Sequence, residues 1–168
     1  KTRRQRQMCI RDRSARVTAS RIAKGAIIRT SYKTIRLDRI GGSVDIDGNS
    51  CPIYVEDVKG DVDIVSSYKD IDVRNISGGL EIRGGSSPVT AVGIGKNVNI
   101  RSSYKPLTVE DIGGDVTVNG GSCSVTAKNI GGDLDVTNSY KYVIVSGTKG
   151  SISIHGKSSP IEVTDISN

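Results

Sequence analysis

From Ala23 onward the apolar residues of this chain keep to five slots in every eighteen. With positions counted from Ala23, eight units follow one another without an insertion and end at Ile166. Positions 4, 6, 13, 15 and 18 are apolar almost throughout: Val44, Ile46, Ile53, Val55 and Val58 in one unit, Val98, Ile100, Leu107, Val109 and Ile112 in another. Alternation at 4 and 6, and again at 13 and 15, is the period-2 signature of two strands, each with one buried face. Position 17 holds Asp57, Asn75, Gly93, Asp111, Asn129, Gly147 and Asp165, residue types that tolerate the left-handed backbone of a turn. Glycine follows at position 2 in six units, from Gly42 to Gly150.

A unit this short cannot bury its apolar face alone, so units stack and each strand pairs with its copy in the next. The pattern predicts an all-β fold, a single-stranded parallel β-helix (β-solenoid) of about eight repeats, expected to be right-handed. The repeat reaches back to Val17, Ala19 and Ile22, which take positions 13, 15 and 18. The solenoid domain is therefore expected over residues 15–168, as a fragment of a longer array.

A slower clock runs at positions 8 to 11. Position 10 alternates Tyr32, Ser50, Tyr68, Ser86, Tyr104, Ser122, Tyr140, Ser158, and position 11 alternates Lys with Cys or Ser. Position 8 is glycine in the Ser units, at Gly48, Gly84, Gly120 and Gly156. Two geometries accommodate this. With one unit per coil a large corner residue alternates with a small one, and each tyrosine covers the glycine and serine of its neighbours. With two units per coil, tyrosine stacks on tyrosine along one edge. Two short strands and two short corners close a coil economically, which favours one unit per coil.

Composition agrees with strands and tight turns: 20 Gly, no Trp, no Phe. No stretch approaches the roughly 18 apolar residues of a membrane-spanning helix, and the start lacks the apolar core of a secretory signal. The net charge of +6 sits at one end, since residues 1–14 carry six basic residues and one Asp, whereas the remainder is nearly balanced. The stretch "RQRQMCIRDRS" resembles a translated sequencing adapter, so residues 1–14 are read as an artefactual or disordered basic tail, and no nucleic-acid partner is expected.

The sequence offers little to catalysis. Cys51 and Cys123 share position 11 four units apart, roughly 19 Å at one coil per unit and roughly 10 Å at one coil per two units, beyond the reach of a disulfide. With no Cys-x-x-Cys and one histidine, neither a metal site nor a cofactor is implied. His155 occupies position 7, a solvent-facing slot by composition, and no nucleophile and base assemble around it. Asp45, Asp63, Glu81 and Asp135 at position 5 and Asp61, Asp115 and Asp133 at position 3 lack the glycine-rich calcium motif. Outward acids interspersed with Lys and Arg discourage lateral sheet association. Thr90, Thr108 and Thr126 form a short ladder that Tyr54, Asp72 and Ile144 interrupt. The surface with binding chemistry is the edge formed by Tyr32, Lys33, Tyr68, Lys69, Tyr104, Lys105, Tyr140 and Lys141, whose phenols and ammonium groups suit sugars or acidic polymers; tyrosine that merely packs the corner is the plainer alternative.

Units such as "GGDVTVNGGSCSVTAKNI" followed by "NSYKYVIVSGTKG" resemble the adhesin repeats of bacterial cell-envelope proteins, with lysine where that family's corner often has glycine. The resemblance covers about residues 15 to 168. It implies a β-solenoid, a periplasmic or extracellular location, and a non-enzymatic binding or adhesion role toward a surface glycan or envelope protein. The alternative is a bactofilin-like scaffold that polymerises through its ends.

Overall fold

A computed structural model describes residues 7–166. It contains eighteen strands and no helix, arranged as two nine-stranded parallel sheets. Each strand pairs with the strand two places earlier in the chain, at an offset of one full unit: Val44 with Val62 and Ile46 with Ile64 in one sheet, Ile53 with Ile71 and Val55 with Val73 in the other. The chain is thus a β-solenoid with one unit per coil, and the two-unit alternation is not a second winding period.

The apolar slots are the core. From Ala26 to Thr148 every residue at positions 4, 6, 13, 15 and 18 is at most 3% exposed. Burying a Val or Ile contributes roughly 1.5–3 kcal/mol, so each coil adds several such contributions, which with its ladder of backbone hydrogen bonds work against the cost of ordering the chain. Position 17 adopts the left-handed backbone in every coil, at Arg21 and Arg39 as well as at the Asp, Asn and Gly residues that follow, with φ between 53° and 70°.

The parallel ladder does not stop at residue 15. Met8–Arg11 forms a strand paired in register with Ala26–Arg29. Counting back one unit from Ala26 and Ile28 puts Met8 and Ile10 at positions 4 and 6, and both pack against the end of the core. Part of the segment expected to be a disordered tail therefore has a place in the first sheet, while residues 1–6 lie outside the described residues.

The two edges of this flat solenoid are closed differently. At the edge formed by positions 17 to 3, the backbone ladder runs on around the corner: the amides of Gly41, Lys59, Ser77, Gly95 and Gly113 each donate to the position-18 carbonyl one coil below, at 2.7–2.9 Å. Side chains at position 3 extend it. Asp61 accepts from the Gly79 amide at 2.8 Å, Asp115 from Asp133 at 3.0 Å, and Asp133 from Ser151 at 2.8 Å. Position 17 adds Asn75 donating to Asp57 and Asn129 donating to Asp111. With backbone groups satisfied by backbone, the interior of this corner can be apolar, and position 18 is Ile or Val from Ile40 to Ile130.

At the other edge, positions 8 to 12, the corner leaves carbonyls facing inward, and side chains answer them. Ser66 Oγ donates to the Gly48 carbonyl at 2.8 Å, and Ser102 Oγ donates to that of Ser87 at 3.0 Å. Asn138 donates to the Cys123 carbonyl at 2.7 Å and accepts from the Cys123 amide at 3.2 Å. Thr30, Ser66, Ser102 and Asn138 are all at most 5% exposed. Here the interior is polar because the backbone requires it.

Candidate functional site

The two-coil clock is a packing device on the inside and a display on the outside. Inside, each coil has room for one corner side chain. In the Tyr coils it comes from position 8, as Thr30, Ser66, Ser102 or Asn138; in the Ser coils it comes from position 11, as Cys51, Ser87 or Cys123, each at most 1% exposed. At Gly120 the two sources compete for one space, since a Cβ there would collide with Cys123 Sγ, whereas a Cβ on Gly48 would press on Ile35 at 3.0 Å and Ile53 at 3.1 Å, with Cys51 at 3.4 Å. Where position 11 turns in, position 8 is glycine. The position-8 side chain of a Tyr coil then bonds the turn carbonyls of the Ser coil beneath it.

Outside, the tyrosines do not cover their neighbours, contrary to the packing expected from the alternation of large and small residues. Tyr32, Tyr68, Tyr104 and Tyr140 are 65–72% exposed. The following lysines, Lys33, Lys69, Lys105 and Lys141, are exposed as well. None of the ion pairs among the described residues engages them. Between successive tyrosines lies a Ser coil whose tip, Ser50, Ser86 or Ser122, is half-buried. The edge is a row of projecting rings separated by low saddles, at two coils, or roughly 10 Å, per ring.

All four tyrosines hold a left-handed backbone, with φ of 66°, 69°, 68° and 68°. For an L-residue this conformation costs about 1–2 kcal/mol, and a bulky side chain there is uncommon. Glycine, asparagine or aspartate is the ordinary occupant, as position 17 shows on the opposite edge from Asp57 onward, after Arg21 and Arg39 in the first two coils.

The other candidates are accounted for by the fold. Asp61, Asp115 and Asp133 bridge coils through backbone amides. Asp45 is held by both guanidinium nitrogens of Arg29, at 2.7 and 2.8 Å, which keeps its carboxyl below the ordinary range. Arg83 pairs with Asp63 and with Glu81. No group of His, Cys, Asp and Glu among the described residues is arranged to hold a metal. Cys51 and Cys123 are buried free thiols, and burial pushes both above their usual range. His155 is exposed, with Nε2 3.2 Å from Ser153 Oγ on the same strand. Thr90, Thr108 and Thr126 stand in register on the outer face of the second sheet. A groove follows the edge opposite the tyrosines, lined by charges of both signs that include Arg39, Asp57, Lys59 and Asp111. No helix among the described residues is long and apolar enough to cross a membrane.

Sequence reasoning singled out the tyrosines and lysines but not the polar plugs beneath them. Their signal was the pairing of glycine at position 8 with a small residue at 11, against Ser, Thr or Asn at 8 with lysine at 11. Comparison with protein-family models, with curated proteins and with solved structures finds no match in any of the three.

Proposed function

We propose that this solenoid is a non-enzymatic binding or adhesion module of a bacterial cell-envelope protein, acting in the periplasm or outside the cell through its Tyr and Lys edge. One observation carries the reading: four exposed tyrosines occupy left-handed backbone that glycine or asparagine would occupy at lower cost, and their rings bury little in return. Strain retained at four equivalent corners, with no packing gain, fits selection for what the rings touch. The likeness of the repeats to envelope adhesin repeats supplies the location and the class of partner, a surface glycan or an envelope protein.

The test is a fourfold replacement of Tyr32, Tyr68, Tyr104 and Tyr140 by Asn, assayed for sedimentation with bacterial cell-wall and outer-membrane preparations. Asparagine tolerates the left-handed region, so the variant is expected to fold with an equal or higher melting temperature and to lose envelope binding. Retained binding by the folded variant would overturn the reading. Filaments that form equally with and without the tyrosines would point instead to a scaffold assembled through the solenoid ends.

A further inference from the structure

We infer that the ligand of this edge is a linear acidic glycan lying along the solenoid axis, one disaccharide per tyrosine and one carboxylate per lysine. The inference rests on the binding reading above and specifies its ligand. Three features of the edge bear on the ligand's shape and charge.

The first is pitch. Successive tyrosines lie two units apart in the chain, and because each unit is one coil they are separated by two strand spacings, roughly 10 Å. That is about the length of one disaccharide in an extended β-linked polysaccharide. The second is alternation. In such a polymer neighbouring sugars are turned over relative to one another, so the same face returns at every second residue. The protein alternates likewise: a phenol ring able to pack on a sugar face, then a saddle whose hydroxyl, at Ser50, Ser86 or Ser122, meets the turned sugar's polar rim. A ligand repeating at every subunit would match the rings and miss the saddles, or the reverse.

The third feature is charge density. Each Tyr carries one Lys beside it, and across positions 9 to 12 of all eight units Asp70 is the one acid. The row therefore offers about one cation per 10 Å. Each strand of a nucleic-acid duplex carries a phosphate about every 3.4 Å of its axis, roughly three times denser than the lysines can answer. A glycan with one uronic acid per disaccharide matches one for one. The four rings from Tyr32 to Tyr140 span six coils, roughly 29 Å, so an octasaccharide fills the row.

The experiment uses the full chain and even-numbered hyaluronan oligosaccharides, in which uronic acid and N-acetylhexosamine alternate, from tetrasaccharide to decasaccharide, with carboxyl-reduced counterparts and a single-stranded oligonucleotide of equal length. Affinity is expected to rise roughly fivefold per added disaccharide, about the worth of one aromatic contact, and to level off at the octasaccharide. Tyr104→Asn, inside the row, is expected to return the octasaccharide to about the affinity of the hexasaccharide, with circular dichroism unchanged. Replacing the four lysines by alanine is expected to weaken the acidic series and leave the carboxyl-reduced series as it was. A rise that continues past the octasaccharide, equal affinity for the oligonucleotide, or no binding to any oligosaccharide overturns the inference. In that case tyrosine-dependent binding to envelope material would leave the broader reading standing, and its absence would remove both.

Discussion

Both edges of this solenoid turn the chain through a left-handed residue, and they fill that position in opposite ways. At the glycine edge every occupant from Asp57 to Asp165 is Asp, Asn or Gly, in the order Asp57, Asn75, Gly93, then Asp111, Asn129, Gly147. Backbone preference accounts for each of them, and the Asn side chains add bonds to the Asp one coil below. At the tyrosine edge a bulky ring sits at the same kind of backbone in every second coil. Preference accounts for none of those rings. The interiors differ as well: one corner is sealed by backbone hydrogen bonds over an apolar filling, the other by side-chain hydrogen bonds to carbonyls that the turn leaves inward. From Asp57 onward the first edge is explained by folding alone. The second is explained by folding only beneath its surface.

The largest effect that would test this contrast comes from adding a methyl group at each edge. A Cβ on Gly78 would lie 2.5 Å from the Gly60 carbonyl oxygen and 2.6 Å from its carbon, atoms of the backbone that cannot give way. Gly78→Ala is expected to destabilise by about 3 kcal/mol. A Cβ on Gly84, at the tyrosine edge, meets Ser102 and Ser87 at 3.4–3.5 Å, ordinary contact, and Gly84→Ala is expected to change stability by less than about 0.5 kcal/mol. Urea unfolding of the two variants decides; equal losses would show that the corner at Gly84 has no more room than the one at Gly78, while Gly120, whose Cβ would collide with Cys123 Sγ, is the tight position of the tyrosine edge.

Next come the polar side chains inside the corners. Asn138→Leu removes the partners of the buried Cys123 amide and carbonyl and is expected to cost about 2–3 kcal/mol. At the glycine edge Thr148 is wholly buried and its hydroxyl has no partner. Thr148→Val should therefore stabilise by about 1 kcal/mol. Thermal melts check both signs, and a loss at Thr148 would mean that its hydroxyl is bonded after all.

The smallest effect belongs to the flat face between the edges. Arg29 depresses the Asp45 carboxyl, and a depressed acid contributes stability above its unfolded value, near pH 4, that is lost as the pH falls through its lower native value. Both side chains are more than a third exposed, so solvent screening keeps the contribution below about 0.5 kcal/mol. The urea midpoint of wild type minus that of Asp45→Asn should be small at pH 7 and close as the solution is acidified. A gap that widened in acid would contradict the pairing.

The coil was legible in the sequence because its signal is apolar and strictly periodic. Val44, Ile46, Ile53, Val55 and Val58 announce two strands and a corner before any coordinate is known. The left-handed slot at position 17 was legible for the same reason, since Asp, Asn and Gly in one column point to one backbone conformation. What escaped was the polar interior of the tyrosine edge. Ser66, Ser102 and Asn138 read as surface residues by type, and their burial follows only from the direction of carbonyls belonging to another coil. The bridging roles of Asp61, Asp115 and Asp133 were hidden likewise, because an outward acid and an acid accepting an amide look alike in one dimension. Met8 and Ile10 had the correct spacing, but the company of six basic residues obscured it.

The competition between positions 8 and 11 also bears on how such an array changes length over evolutionary time. Losing one unit would set two coils of the same kind against each other: two glycine corners with inward thiols or hydroxyls and no plug between them, or two plugs with no turn carbonyls to answer. Losing two units restores the phase. At the glycine edge a shift of a single unit costs little, because any order of Asp, Asn and Gly suits the backbone there. Recombination between repeats is therefore expected to leave descendants that differ by even numbers of coils, with the hidden polar corner rather than the visible tyrosines acting as the parity check.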